Sequence, residues 1–291
     1  MKTKFNLSVL WAVLAAALYA LNSPVSKLLL ESVTPTMMAA FLYLGAGLGM
    51  AALGLVRKAV EKAPRERHLS RKDLPYTIGM VVLDIAAPIF LMTGLARTAP
   101  ANVSLLNNFE IVATSLIALV IFKEAVSRRL WLAIGLITLA SVVLSMEDAG
   151  SPQFSSGSVF VLLACVCWGF ENNCTRMMSQ SDPLEIVVIK GFGSGLGSLL
   201  IALAIGEPLL DGTLIPMVLL LGFVAYGLSI FFYVYAQRGL GAAMTSAFYA
   251  IAPFIGVALS FLMFRDPPGL RFFIALTIMI AGAYLAAVDS I

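Results

Sequence analysis

Six consecutive positions, Glu171-Asn172-Asn173-Cys174-Thr175-Arg176, carry a carboxylate, two amides, a hydroxyl and a guanidinium, and they directly follow Trp168-Gly169-Phe170. They lie in an otherwise apolar segment that begins near Gly157 and is long enough to cross a bilayer. An ionisable group inside hydrocarbon costs roughly 2.5–3.5 kcal/mol on insertion scales, so such groups face a cavity or a partner. One reading is a polar cap where the helix leaves the membrane. Arg176 fits that reading, because its long stem lets the charged head snorkel to the interface. Glu171 and Asn172 lie a turn or more deeper and fit it poorly.

Other polar groups stand at similar places in other apolar runs. Asp84, Glu110 and Lys190 each fall within one, Glu110 just after Asn107 and Asn108. Asn22 and Ser23 precede Pro24, which lacks an N–H and so frees a backbone carbonyl one turn earlier. Trp168, Phe170, Tyr226, Tyr233 and Tyr249 accompany them. A polar centre with aromatic walls suits a small amphiphilic solute. The carboxylates can hold a cation with help from the rings, or carry protons. The plainer alternatives are an ion pair of Asp84 or Glu110 with Lys190, interhelical hydrogen bonding by Asn107 and Asn108, and simple packing by the aromatics. The order of expectation for a substrate or proton role is Glu171, Glu110, Asn172, Asn22, Asp84, Lys190, with Trp168, Tyr233, Tyr249 and Asn107 completing the set.

Composition says what holds these groups. The 291 residues are 60% hydrophobic and 12% charged, with a mean hydropathy of +0.96. Repeated apolar runs near 20 residues mean an all-α, polytopic membrane protein. The one histidine, His68, lies in a hydrophilic loop, which removes His-based metal sites and Ser-His or Cys-His catalysis. Cys165, Cys167 and Cys174 share one apolar helix and read as small buried residues. No metal, cofactor or nucleic-acid partner is expected. The start, Met1-Lys2-Thr3-Lys4 before an apolar run, is like a signal peptide, but the run continues towards Leu30 and has a counterpart later in the chain.

Ten spans are expected: Leu7–Leu29, Pro35–Val56, Leu74–Leu95, Ala101–Phe122, Leu130–Met146, Gly157–Met177, Pro183–Ile205, Leu214–Ala236, Ala242–Phe264 and Leu270–Val288. Alternate sides then collect unequal charge. One side takes Lys2, Lys4, Arg57, Lys58, Lys62, Arg65, Arg67, Arg71, Lys72, Lys123, Arg128, Arg129, Arg176 and Arg238, which is 14 of 19 basic residues. The other takes Lys27, Arg97, Arg265 and Arg271. By the positive-inside rule both termini are cytoplasmic, in the cytoplasmic membrane. The basic loop from Arg57 to Asp73 is first a topology signal and also suits anionic lipid.

The spans repeat. Gly45-Ala46-Gly47-Leu48-Gly49 matches Gly193-Ser194-Gly195-Leu196-Gly197, and Pro35 matches Pro183 at the same offset. Tyr19, Asn22 and Lys27 align with Trp168, Glu171 and Arg176 after a one-residue slip. Ile89-Phe90 and Arg97 match Ile230-Phe231 and Arg238; Asn107 matches Tyr249; Phe122-Lys123-Glu124 matches Phe264-Arg265-Asp266. Two domains follow, residues 1–150 and 151–291, each a five-helix unit. Five is odd, so the second unit is inverted, an arrangement found in alternating-access transporters. The glycine runs permit close helix approach and sliding, or plain tight packing.

On these residues the chain resembles the EamA-like branch of the drug/metabolite transporter superfamily over nearly its whole length. The carrying patterns are the aromatic-to-base stretches Tyr19 to Lys27 and Trp168 to Arg176, and the fourth-helix ending Phe122-Lys123-Glu124 before a Gly-containing fifth helix. The resemblance implies ten helices, cytoplasmic termini, a central cavity lined by both units, and movement of small metabolites, amino acids or organic cations, often driven by a proton or exchange gradient. Two departures stand out. Family fourth helices often carry a proline past the middle; the second unit has Ala252-Pro253-Phe254, but the first has Glu110-Ile111-Val112, as though a buried acid replaces the kink. The second ending is Arg265-Asp266-Pro267-Pro268 rather than a Glu-containing loop.

The functional expectation is a secondary transporter, not an enzyme, with a small-molecule substrate, membrane lipid around it, and a monomer or homodimer as the working unit. Asp84, Glu110 and Glu171 against Lys190 tilt the solute towards a cation or zwitterion, a tilt that Arg176 and Lys27 reverse if they reach the cavity. No Gly-x-x-x-x-Gly-Lys-Ser/Thr run occurs, so an ATP-driven pump would need another subunit. The alternatives are a membrane-embedded lipid-modifying enzyme, for which the acids are scattered over three helices, and a channel, which favours symmetric pore rings over a duplicated monomer.

Overall fold

A computed structural model describes residues 2–60, 66–123, 127–146, 155–265 and 268–289. Of the positions singled out above, Met1, Lys62, Arg65, Glu124, Asp266 and Pro267 lie outside the described residues. No β-strand occurs among those described. The helices are α1 (Lys2–Tyr19), α2 (Asn22–Leu29), α3 (Pro35–Val60), α4 (Leu74–Arg97), α5 (Pro100–Leu106), α6 (Phe109–Phe122) and α7 (Arg128–Ser145) in the first half of the chain. The second half holds α8 (Ser156–Met178), α9 (Pro183–Ala204), α10 (Ile215–Gly222), α11 (Ser229–Tyr249), α12 (Ala252–Phe264) and α13 (Leu270–Asp289). A π-helical turn, Phe223–Leu228, joins α10 to α11.

Eight stretches are long and apolar enough to cross a membrane, and two shorter apolar helices, Ala252–Phe264 and Leu270–Ala286, complete ten. The chain is a multi-pass helical membrane protein. Spans eight and nine run together inside α11, yet that segment reverses direction. The rings of Tyr233 and Tyr249 lie 5.0 Å apart. Sixteen residues of straight helix would separate them by about 24 Å. The segment between the two rings therefore turns back, and it contains the expected boundary between the spans ending at Ala236 and starting at Ala242.

Local chemistry sets the helix ends. Pro35, Pro100 and Pro183 open α3, α5 and α9, where a missing N–H costs nothing. Asp182 caps α9 by accepting from the Leu184 N–H at 3.0 Å, and Ser127 caps α7 through Leu130 N–H at 3.1 Å. The repeated fourth-helix ending also gains a geometric meaning. Lys123 and Arg265, at matching positions, both adopt the left-handed conformation with φ 55°, closing α6 and α12 with a backbone bond to the preceding turn.

Three spans are broken near their middles. Span one breaks at Ala20–Leu21, four residues before Pro24; span four at Asn107–Asn108; span nine at Ala250–Ile251, before Pro253. The expectation that Glu110 replaces a kink is therefore not met. The first unit keeps the break at the repeat-matched place and makes it without proline. Asn107 and Asn108, both weak helix formers, stand at this break, and the Asn108 side chain makes no capping bond there.

The packing follows a two-fold relation between the halves. Helix α3 packs on α9 and α7 on α13, each with its own repeat mate; α4 packs on α8 as α11 packs on α1. At the α3–α9 crossing the glycines let backbones touch. A methyl on Gly47 would stand 2.9 Å from the Phe192 nitrogen, and one on Gly195 would stand 2.7 Å from the Leu44 nitrogen. Gly191 faces the backbone of Gly47 more closely still.

Charges tie each end. At one end the Lys27 ammonium donates to the carbonyls of Leu95, Ala96 and Thr98, at 2.7, 3.3 and 3.0 Å, neutralising the C-terminus of α4. At the other, Arg238 reaches Glu66 at 2.6 Å and the carbonyls of Ser179 and Ser181. The hydrogen bond from Arg238 holds the Glu66 carboxyl below the usual carboxylate range. Arg57 stands 3.8 Å from Glu66 and 3.7 Å from Asp182, so the loop after α3, the α8–α9 turn and α11 are joined in one lattice.

The crossing predicts a contrast between two glycines. Gly191→Val forces α3 and α9 apart and costs about 3 kcal/mol or more. A methyl on Gly135 meets nothing within 4 Å, so Gly135→Val stays within about 1 kcal/mol of the parent. Melting temperature and size-exclusion profile in detergent check this; equal behaviour of the two variants contradicts it.

Candidate functional site

The polar groups converge where α3, α4, α8 and α9 cross. Lys190 of α9 stands between two carboxylates, 2.7 Å from Glu171 Oε1 and 3.1 Å from Asp84 Oδ2. The three residues are 3%, 3% and 0% exposed. Asp84 Oδ1 accepts from the Tyr43 hydroxyl at 2.8 Å and from the Trp168 indole N–H at 3.2 Å. Thr175, one turn along α8, donates to Glu171 Oε1. Six side chains thus form a desolvated centre of one base, two acids and three neutral donors, with one formal negative charge left over. Helical spacing explains the convergence on α8: Trp168, Glu171 and Thr175 are three and four residues apart and share a face.

Asn172 points elsewhere on the same helix. Its amide donates to Glu110 Oε1 of α6 at 2.6 Å. Among the described residues no basic side chain lies within ion-pairing distance of Glu110. The pair is only half-buried, whereas the Lys190 cluster is enclosed. Asn173 pins the two helices, donating to the carbonyls of Gly169 at 2.8 Å and Thr114 at 3.3 Å. Gly169 makes this approach possible, since a methyl there would stand 2.8 Å from the Thr114 nitrogen.

Tyrosines link these centres. Tyr19 meets Trp168, Tyr226 and Tyr249 with ring centroids 6.2, 5.9 and 5.8 Å apart. Tyr43 meets Tyr226 at 5.0 Å, and Tyr233 meets Tyr249 at the same distance. The Tyr226 hydroxyl, carried by the π turn, accepts from Asn22 Nδ2 at 3.0 Å, and Ser26 donates to Asn22 Oδ1 at 3.1 Å. Ser229 and Tyr249 hydroxyls are 3.5 Å apart.

The structure therefore brings Glu171, Asp84, Lys190, Trp168, Asn22, Tyr233 and Tyr249 into one connected network, and Glu110 and Asn172 into a separate pair on another face of α8. Asn107 stands apart from it: buried at the break of span four, with Oδ1 unpartnered. The ion pair expected for Asp84 or Glu110 forms with Asp84, and its second arm is Glu171, not Glu110. The acids are scattered in sequence, but two of them meet on one base. Lys27 is held by the α4 carbonyls and does not answer the acids. Sequence reasoning missed Tyr43, counted the Thr175 hydroxyl in the polar stretch without giving it a role, and treated Tyr19 only as a repeat marker. Thr175 was recoverable, being four residues from Glu171; Tyr43 carries no local signal beyond a hydroxyl deep in an apolar span.

A separate cavity of about 490 Å³ opens at the Arg97 end between α5, α7, α12 and α13. Phe261, Phe264, Asn102 and Arg271 contribute to its walls.

Comparison with known proteins agrees with this architecture. A family model described as the EamA-like transporter family matches twice, over residues 6–146 and 155–288. An uncharacterized transporter of Methanothermobacter thermautotrophicus is 24% identical over 287 residues, covering 93% of this chain and 83% of its own. The uncharacterized transporter YyaM of Bacillus subtilis is 20% identical over 220 residues, 72% of each chain. A solved crystal structure shares the fold with a TM-score of 0.68 over 97% of both chains, at 18% identity. With its two five-helix repeats and both halves matched, the chain belongs to the EamA-like transporter family.

Proposed function

We propose that the protein is a secondary active carrier of a small cationic or zwitterionic solute, working by alternating access in the cytoplasmic membrane with both termini cytoplasmic. The two repeats, residues 1–150 and 151–291, are its moving halves. One observation carries the charge assignment: the buried base Lys190 is spent on Asp84 and Glu171, and Glu110 is left with an amide partner only. Three acids against one base give the core two formal negative charges. A solute ammonium beside Glu110 reduces that charge and meets the faces of Tyr19 and Tyr249 nearby, the chemistry of cation–π recognition. Asn172 orients the carboxylate and offers its own carbonyl to the solute.

The Lys190 cluster has another part in this reading. It joins α4 of the first half to α8 and α9 of the second, and it is shut off from solvent. It serves as the pivot on which the halves turn, while the half-buried groups around Glu110 meet the solute. The lattice of Arg57, Glu66, Asp182 and Arg238 closes one end. Movement of the solute is driven by a proton or by exchange.

The two carboxylate roles separate in variants. Lys190→Met leaves Asp84 and Glu171 facing each other without a counter-charge and costs about 3–5 kcal/mol of stability. Glu171→Gln keeps a neutral Asp84–Lys190 pair, so it folds with a much smaller loss while flux is abolished or uncoupled. Thermal melting and proteoliposome uptake check this; a Lys190→Met protein as stable as Glu171→Gln, or normal uptake in Glu171→Gln, contradicts the pivot.

A thermal-shift screen of the purified protein against amino acids, polyamines, quaternary amines and nucleosides tests the site. Cationic or zwitterionic binders are expected, and Glu110→Gln weakens them at least about tenfold, or 1.4 kcal/mol, without loss of fold. An anionic binder, or a cationic one indifferent to Glu110→Gln, contradicts the assignment.

A further inference from the structure

One set of buried polar atoms is unused by the network above. Ser104 Oγ, Asn107 Oδ1 and both side-chain atoms of Asn108 have no hydrogen-bond partner among the described residues, and their residues are 2%, 7% and 1% exposed. Buried polar atoms are rarely left so, and several oxygens together on one turn mark something that answers them. Positions 104, 107 and 108 are three and four apart and so share one face across the end of α5.

That face looks towards the other broken spans. A methyl placed on Gly256 of α12 would stand 2.8 Å from Ser104 Oγ and 3.4 Å from the Ala20 carbonyl oxygen. The missing side chain at Gly256 therefore lets Ser104 and the break of span one close on the same point of α12. The Ala20 carbonyl is itself short of its helical donor, because the residue four places on is Pro24. The Tyr249 carbonyl loses its donor to Pro253 in the same way. Two helix interruptions, those of spans one and four, thus bring unpartnered oxygens to neighbouring places, and the oxygens are amide, hydroxyl and carbonyl.

Such a donor set selects its ligand. None of these oxygens titrates near neutral pH, so they do not hold a proton. They carry no formal charge, which suits a singly charged ion better than Ca²⁺ or Mg²⁺, whose sites are built on carboxylates. Unwound helix carbonyls with neutral side-chain oxygens are the surroundings in which membrane carriers hold Na⁺. Glu110 lies one turn beyond Asn107, unmatched by a base, and lends the place a negative potential. We infer that the breaks of spans one and four form a sodium site, with Ser104, Asn107, Asn108 and the Ala20 carbonyl as its ligands.

Binding of the ion does not depend on the solute assignment; its use in driving transport rests on the carrier reading. Shared dependence on the Glu110 charge gives the two a common field, so Na⁺ and a cationic solute oppose each other's binding.

The test uses the full-length purified protein melted in NaCl and in CsCl at equal ionic strength. Na⁺ is expected to raise Tm saturably by about 2–4 °C or more, with no such rise in Cs⁺. Asn108→Ala is expected to raise the half-saturating Na⁺ concentration at least about tenfold, while Asn108→Asp retains or tightens the response. Equal Tm in the two salts overturns the site, and so does an unchanged Na⁺ response in Asn108→Ala. If Asn108→Ala does not fold, Ser104→Ala and the salt comparison on the parent protein still decide. Cationic solutes that bind and depend on Glu110 in a protein blind to Na⁺ would overturn the ion site and leave the solute site standing.

Discussion

Lys190 cannot be left alone in this fold. An ammonium with 3% exposure at the crossing of four helices must have its charge answered there, and the two acids that answer it come from both halves of the chain. Asp84 reaches it from the first half and Glu171 from its own. Breaking such a pair is far more costly than never building it, so the rest of the centre is organised to keep it whole. Tyr43 and Trp168 satisfy the far oxygen of Asp84, and Thr175 supports Glu171. Gly193 and Gly197 of α9 face Val81 and Ile85 of α4, and this close approach keeps Lys190 and Asp84 together away from water. Helix orientation, close packing and charge pairing are thus parts of one constraint.

The repeat supplies the scaffold and the departures from it supply the chemistry. Both copies keep the broken fourth span, the left-handed basic residue at its end and the α3-on-α9 or α7-on-α13 pairing. They differ where the polar groups lie. Asn22 and Glu171 hold matching places, yet Asn22 bonds a tyrosine and Glu171 a lysine. Span one breaks beside Asn22 while the matching α8 runs unbroken through Glu171. Asn107 and Tyr249 hold matching places at matching breaks, one leaving an oxygen unpartnered and the other joining the aromatic cluster. On the carrier reading proposed above, a duplicated frame with unlike linings is what lets the halves move symmetrically while the centre recognises something asymmetric.

Much of this was legible in the sequence for physical reasons. Apolar length locates spans, and internal offsets such as Gly47 with Gly195 expose the duplication. The cost of charge in hydrocarbon singled out Asp84, Glu110, Glu171 and Lys190 without any structure. What the sequence withheld was pairing. Which acid meets Lys190 depends on how α4, α8 and α9 cross, and no local pattern states that. The kink of span four was hidden because proline is the usual mark, and here two weak helix formers, Asn107 and Asn108, stand at the break instead. Tyr43 was invisible because a tyrosine in an apolar span reads as packing until a carboxylate is found 2.8 Å from its hydroxyl.

The account stands or falls on whether two halves turning about this centre carry the solute across. Counterflow in proteoliposomes asks that directly. Vesicles preloaded with an unlabelled cationic solute are diluted into a trace of the labelled one. A carrier exposes its site alternately, so labelled solute must rise inside transiently above the outside concentration and then decline, and vesicles without preload must show no overshoot. A channel has no such exchange step: simple equilibration, indifferent to preload, would contradict the account.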